Sequence, residues 1–281
     1  MQVTPYFSGF EANYQAGQTQ IVSTTLIADL ETPVSAMMKL AKGQPSFLLE
    51  SVEGGSIRGR YSFIGLNPDL IWRCYGNFAE INRSALTDPD TFEPCPVADK
   101  TGALASFRSL LKESKFELPE NIPPMASGLF GYMGYDMVRL AENVPDDNPS
   151  TIDLPDGQYI RPTIIAIFDT IEDRVTVVTP IWPAADQSAE QTYEKALSRL
   201  GAVLDDFASN LPRQQSDIDL ARLPEPTSNM TPEEYHEIVA KGKEYIHAGD
   251  VFQVVLSQRF SVPFDLPPLP FYRTLRRVNP S

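Results

Sequence analysis

Apolar residues recur at helical spacing in some stretches of the chain and alternate at strand spacing in others. Between Thr231 and Gly249, the residues Tyr235, Ile238, Val239, Gly242, Tyr245 and Ile246 fall on one helical face. Thr231 with Glu234 reads as a capping box, Pro232 takes the first helical position, and Gly249 stops the run. The period then changes: Phe252, Val254, Leu256 and Gln258 alternate with Gln253, Val255, Ser257 and Arg259, which predicts a strand with one face toward a core. A last helix follows, with Pro270 near its start and Phe271, Tyr272, Leu275 and Val278 on one side.

Upstream, Thr32 and Pro33 cap a helix through Val34, Met37, Met38 and Leu40 that Gly43 terminates. Strands are predicted over 46–51 and 60–65, and 70–75 pairs with 78–83 around the two-residue turn Gly76-Asn77. Residues 102–116 return to helical spacing through Leu104, Phe107, Leu110 and Leu111, and the prolines of 119–124 end that run. The alternating aromatics and glycines of 128–136 predict a strand that another backbone approaches closely, then a short helix from Met137 to Ala141. After an acidic loop over 143–158, the β-branched stretches 160–170 and 174–179 form a second hairpin signal. A long helix spans 189–208 through Tyr193, Leu197, Leu200, Val203, Leu204 and Phe207. Residues 212–230 are polar and proline-bearing, as in a linker. The resulting expectation is an α+β chain of antiparallel β-sheets with packed helices, in two parts, 1–211 and 231–281.

Composition narrows the function more than the fold. With 281 residues, 42% of them hydrophobic, the chain is long enough for two domains with real cores. Its net charge of -14, from 23 basic and 37 acidic side chains, argues against nucleic acid or an anionic membrane as main partner, because both require a cationic face. Cys74 and Cys95 form neither a disulfide framework nor a recognisable metal spacing and read as two reduced thiols, which together with the lack of a signal-peptide pattern gives a cytoplasmic expectation. The glycines of 128–134 lack the Lys-Ser/Thr of a phosphate-binding loop, and neither His236 nor His247 has partners at metal-ligand spacing.

One constellation carries chemistry. Phe47-Leu-Leu-Glu-Ser51 ends a strand in a carboxylate and a hydroxyl, and Gly59-Arg-Tyr-Ser-Phe-Ile-Gly65 brings a cation back after a turn. Glu50 and Arg60 can clamp an amino acid by pairing with its ammonium and its carboxylate. The same residues also read as a plain strand end with a surface ion pair.

The run Tyr245-Ile-His-Ala-Gly-Asp-Val-Phe-Gln-Val-Val-Leu-Ser-Gln-Arg259 resembles the opening of the chorismate-utilising domain shared by anthranilate, aminodeoxychorismate and isochorismate synthases. Leu48-Leu-Glu-Ser51 with Gly59 to Gly65 resembles the amino-terminal signature of anthranilate synthase component I, in which the Leu-Leu-Glu-Ser element lines the site of feedback inhibition by tryptophan. The resemblance implies an effector pocket at Ser51, Glu50 and Leu49, with Arg60 carried over from a position whose distance from the first strand varies in the family. It implies a tryptophan-sensing part over 1–211, a linker over 212–230 and the start of an incomplete chorismate-binding domain over 231–281. The implied reaction is amination of chorismate with loss of pyruvate, using ammonia from a glutamine amidotransferase subunit and requiring Mg2+. In the family the metal and catalytic groups belong to the second half of the chorismate domain, so no catalytic or metal residue is assigned to this chain, which is expected to be an inactive fragment. In the family, the Asn-Pro-Ser seen here at 279–281 is followed by a Pro-Tyr-Met segment that completes the tryptophan pocket. Val251 to Val262 is accordingly expected to lack strand neighbours and expose apolar surface. Two alternatives stay open: an aminodeoxychorismate synthase component, and a non-catalytic effector-binding module.

Overall fold

The computed structural model describes residues 1–53, 57–116, 118–120, 122–123, 125–147, 152–184, 186–212 and 224–279. The chain divides into two compact units, Met1–Pro212 and Arg213–Pro280.

The first unit is built on two long antiparallel strands, β3 (Ile57–Tyr75) and β7 (Gly157–Asp169), paired from Tyr61↔Asp169 to Cys74↔Gly157. The stretches 60–65 and 70–75, separate by pattern, are thus one strand of 19 residues. A bulge between Pro68 and Leu70 absorbs the break in alternation between them. At one end of this pair, β2 (Phe47–Glu53) lies against β3, and β8 (Arg174–Ile181) followed by β1 (Gln20–Ile27) lies against β7. At the other end, β4 (Phe78–Asn82) and the short β5 (Glu93–Pro94) extend from β3, and β6 (Phe130–Met133) extends from β7. All eight strands form one antiparallel sheet.

Helices cover this sheet where its apolar residues require it. On one face α1 (Phe7–Gln15), α2 (Pro33–Leu40) and α5 (Ala189–Ala208) bury Phe10, Ala36, Leu40, Tyr193, Leu200 and Phe207 against Ile64, Leu66, Ala166 and Val177. Thr32 caps α2 in a box with Ser35, and Ser188 caps α5 in a box with Gln191. The helix α1 and the strand β1 lie in a region whose pattern gave no element. The opposite face carries Ile21, Phe63, Ile165, Ile167 and Val178, packed by Phe47, Phe116 and Phe130. Beyond the bulge, α3 (Ala98–Thr101) and α4 (Ala103–Glu113) close a second core around Trp72, Cys74, Ile81, Phe107 and Leu110. Trp72 is fully buried, donates from Nε1 to Ser106 Oγ at 3.1 Å, and packs on Phe107 at a centroid distance of 5.0 Å.

Both cysteines are free and buried. Burial pushes the Cys74 thiol up to about 11, helped by the charge of Asp156. Iodoacetamide near neutral pH is expected to label neither thiol in the folded chain and both in denaturant; native labelling of Cys74 would contradict its placement in the core.

In the second unit, α6 (Pro232–Ala248) starts at Thr231 with the predicted box to Glu234 and ends at Gly249 in the left-handed conformation. The following segment runs back along α6, so that a Cβ on Gly242 would lie 3.2 Å from Val254 and 3.3 Å from Leu256. Residues 251–259 do not form the strand that their alternation predicts. A strand exists only with a ladder partner, and the pairing available is Phe260–Ser261 (β10) with Thr227–Ser228 (β9). The end of the expected linker is therefore strand, while its residues 213–223 lie outside the described ones. Phe252 is fully exposed and Val255 is 81% exposed, as the lack of sheet neighbours requires. The helix α7 (Pro268–Val278) buries none of its residues.

Candidate effector site on the second strand

The register of β2 on β3 decides where the four sequence-predicted site residues point. Leu48 opposes Ile64, Leu49 opposes Phe63, and Glu50 opposes Ser62. Side chains alternate across a strand, so Leu48 and Glu50 share the face covered by α2 and α5, where Leu48 packs on the helical core. Leu49 lies on the opposite face with Phe63. A bulge between Glu50 and Val52 resets the alternation at Ser51. A Cβ added to Gly59 would fall on Ser51 Oγ and Cβ, which places the serine side chain directly over Gly59, on the same side of β3 as Tyr61 and Phe63. The absence of a side chain at Gly59 is what admits Ser51 there.

Leu49, 43% exposed, forms one wall of an apolar groove of about 480 Å³. Phe47, Phe130, Tyr132 and Tyr159 supply aromatic surface, and Phe47 stacks on Phe130 with centroids 4.6 Å apart at 26°. The groove exists because β6 comes unusually close to β7: a Cβ on Gly131 would lie inside the Gln158 carbonyl and 2.7 Å from Tyr159 Cα. Its volume suits a small molecule with an aromatic body.

Arg60, the cationic half of the clamp expected from the sequence, is committed to a partner within the chain. Arg60 is bound to Asp169, with Nε to Oδ1 at 3.0 Å and Nη2 to Oδ2 at 2.6 Å, and it reaches Glu172 at 3.5 Å. Its guanidinium also lies 4.9 Å over the Tyr61 ring. The hydrogen bond to Asp169 raises the arginine pKa, and the same bond holds the Asp169 carboxyl below its ordinary range. Asp169 sits 109 residues away in sequence, at the end of β7 paired with Tyr61. No local pattern in the sequence signals that pairing.

Among the described residues, no group of three or more His, Cys, Asp and Glu is arranged to hold a metal ion. No helix among these residues is long and apolar enough to cross a membrane.

The family model described as chorismate binding enzyme matches residues 45–281, and the chain belongs to that family. It is similar to "Anthranilate synthase component 1" of Cereibacter sphaeroides, 47% identical over 98% of this chain and 54% of the relative. The protein of the same name from Synechocystis is 35% identical over 99% of this chain and 55% of the relative. Among solved structures, anthranilate synthase component I from Streptococcus pneumoniae superposes with a TM-score of 0.57 at 25% identity, covering 91% of this chain and 53% of that one. The fold is that of this structure, and the chain spans about half the length of the relatives it matches.

Proposed function

We propose that this chain supplies the tryptophan-sensing part, and the first elements of the chorismate-binding part, of an anthranilate synthase large subunit. The observation that carries the reading is family membership over residues 45–281 combined with component 1 relatives along almost the whole chain. In this reading the full-length protein is a cytoplasmic enzyme. It aminates chorismate with ammonia from a glutamine amidotransferase subunit, requires magnesium, and releases anthranilate and pyruvate.

The residues present act on the effector. The groove beside Leu49 takes the apolar ring of tryptophan, and the Ser51 hydroxyl, held over Gly59, hydrogen-bonds its polar end. The bulge that follows Glu50 brings Ser51 to the side of the strand that carries Leu49, while Glu50 keeps to the face covered by the helices. Arg60 acts as a positioning residue: its ion pair with Asp169 ties the start of β3 to the end of β7, beneath the site.

Product analysis tests the reaction. A polypeptide of the relatives' full length, given chorismate, ammonium and magnesium, is expected to form fluorescent anthranilate, whereas the 281-residue chain forms none. Aminodeoxychorismate as the product would overturn the reading in favour of the related synthase.

A further inference from the structure

The bulge in β3 opens a second, polar cavity of about 200 Å³ between the sheet and α5, which shares no lining residue with the groove at Leu49. Within a chain of net charge -14, its lining is cationic: Arg161, Lys195 and Arg199 converge on it with Asp69 as the carboxylate. Asp69 is committed to Arg161, which donates from Nε at 2.8 Å and from Nη2 at 3.0 Å. Lys195 Nζ donates to Gln187 Oε1 at 2.8 Å. The Tyr14 hydroxyl and the Thr163 hydroxyl are likewise taken up by backbone carbonyls.

Two donors are left over. Trp182 Nε1 is buried without a partner, while its ring packs under the Arg161 guanidinium at 4.4 Å and edge-on to Phe116 at 6.2 Å. Arg199 makes no hydrogen bond or ion pair among the described residues, and its burial lowers its pKa against the weaker pull of Asp69. A half-buried guanidinium whose nearest carboxylate, Asp69, is already committed to Arg161 has free donors beside an orphaned indole N–H, and a bound group that accepts from both would satisfy them.

We propose that this cavity binds a small oxyanion, a carboxylate or phosphate group, with Arg199 and Trp182 Nε1 as the donors and Arg161 as the charged wall behind them. A guanidinium fork presents paired N–H groups to two oxygens, and the indole can donate to one more. The cavity has room for a group of the size of inorganic phosphate or a short carboxylic acid.

The chain contains two tryptophans, Trp72 and Trp182, so its indole N–H spectrum has two signals. Titration of the 15N-labelled 281-residue chain with sodium phosphate and, separately, sodium pyruvate at constant ionic strength is expected to move the Trp182 signal saturably and leave Trp72 in place. Response to phosphate alone identifies free phosphate as the source, response to pyruvate alone a carboxylate metabolite, and either supports the site. Arg199→Gln is expected to weaken binding at least about tenfold, the loss of one charge-assisted bond. Trp182→Phe, followed by calorimetry, is expected to weaken it too, and provides the test if the arginine variant fails to fold. No saturable shift with either anion would mean that water alone fills the cavity. That result, or equal affinity in both variants, would overturn the proposal.

Discussion

Replacing Trp72 with alanine is expected to lower the unfolding free energy of the first unit by about 3–5 kcal/mol, the range for truncating a large aromatic in a core. The side chain is fully buried in the core closed by α4, packs on Phe107 and Tyr159, and shares a hydrogen bond with Ser106. Truncation leaves a cavity and removes the bond that the buried Ser106 oxygen accepts, while the hydroxyl still donates to the Ala103 carbonyl at 2.8 Å. Trp72→Phe keeps most of the apolar volume and is expected to lose less than the alanine variant. Urea unfolding with the slope held common separates the two, and a loss below about 1 kcal/mol for Trp72→Ala would show that this core is not closed as described.

The second large effect is expected at Gly131. A valine there must displace the Gln158 carbonyl, which is backbone in the middle of the sheet and paired across to Arg73. Overpacking against rigid backbone costs at least about 3 kcal/mol, the top of the usual range, because no flexible side-chain end can give way. The consequence extends beyond stability: β6 must move off β7, and the groove wall made by Phe130 and Tyr132 moves with it. Gly201→Ala, where an added Cβ meets nothing within 4 Å, is the matched control. It replaces glycine with a better helix former inside α5 and is expected to be neutral or stabilising. Thermal unfolding of the two variants side by side distinguishes a close-approach glycine from a tolerated one.

Much of this architecture was legible in the sequence where the determinants are local. The helices 232–248 and 189–208 were readable because their apolar periodicity, and for the first also its capping box, is set by residues close together in the chain. The hairpin at Gly76-Asn77 was readable for the same reason. The elements that escaped depend on distant partners. β1 is fixed by its ladder to β8, which lies far along the chain, and the run 252–259 has the alternation of a strand but finds no ladder. The site follows the same division. That Leu49 and Glu50 would face opposite ways follows from strand period alone, whereas the capture of Arg60 by Asp169 and the seat of Ser51 over Gly59 require the register of β2, β3 and β7. The polar cavity at Arg199 had no signal in the sequence, since its donors come from α5, β7 and the end of β8.

The effector assignment rests most directly on Ser51. Calorimetric titration of tryptophan into a polypeptide of the relatives' full length is the decisive measurement, made on the parent and on Ser51→Ala with circular dichroism showing both folded. Loss of the hydroxyl is expected to weaken tryptophan binding about tenfold or more, as for one hydrogen bond to a charged ligand group. Equal affinity in the two proteins would contradict a tryptophan site at the end of β2.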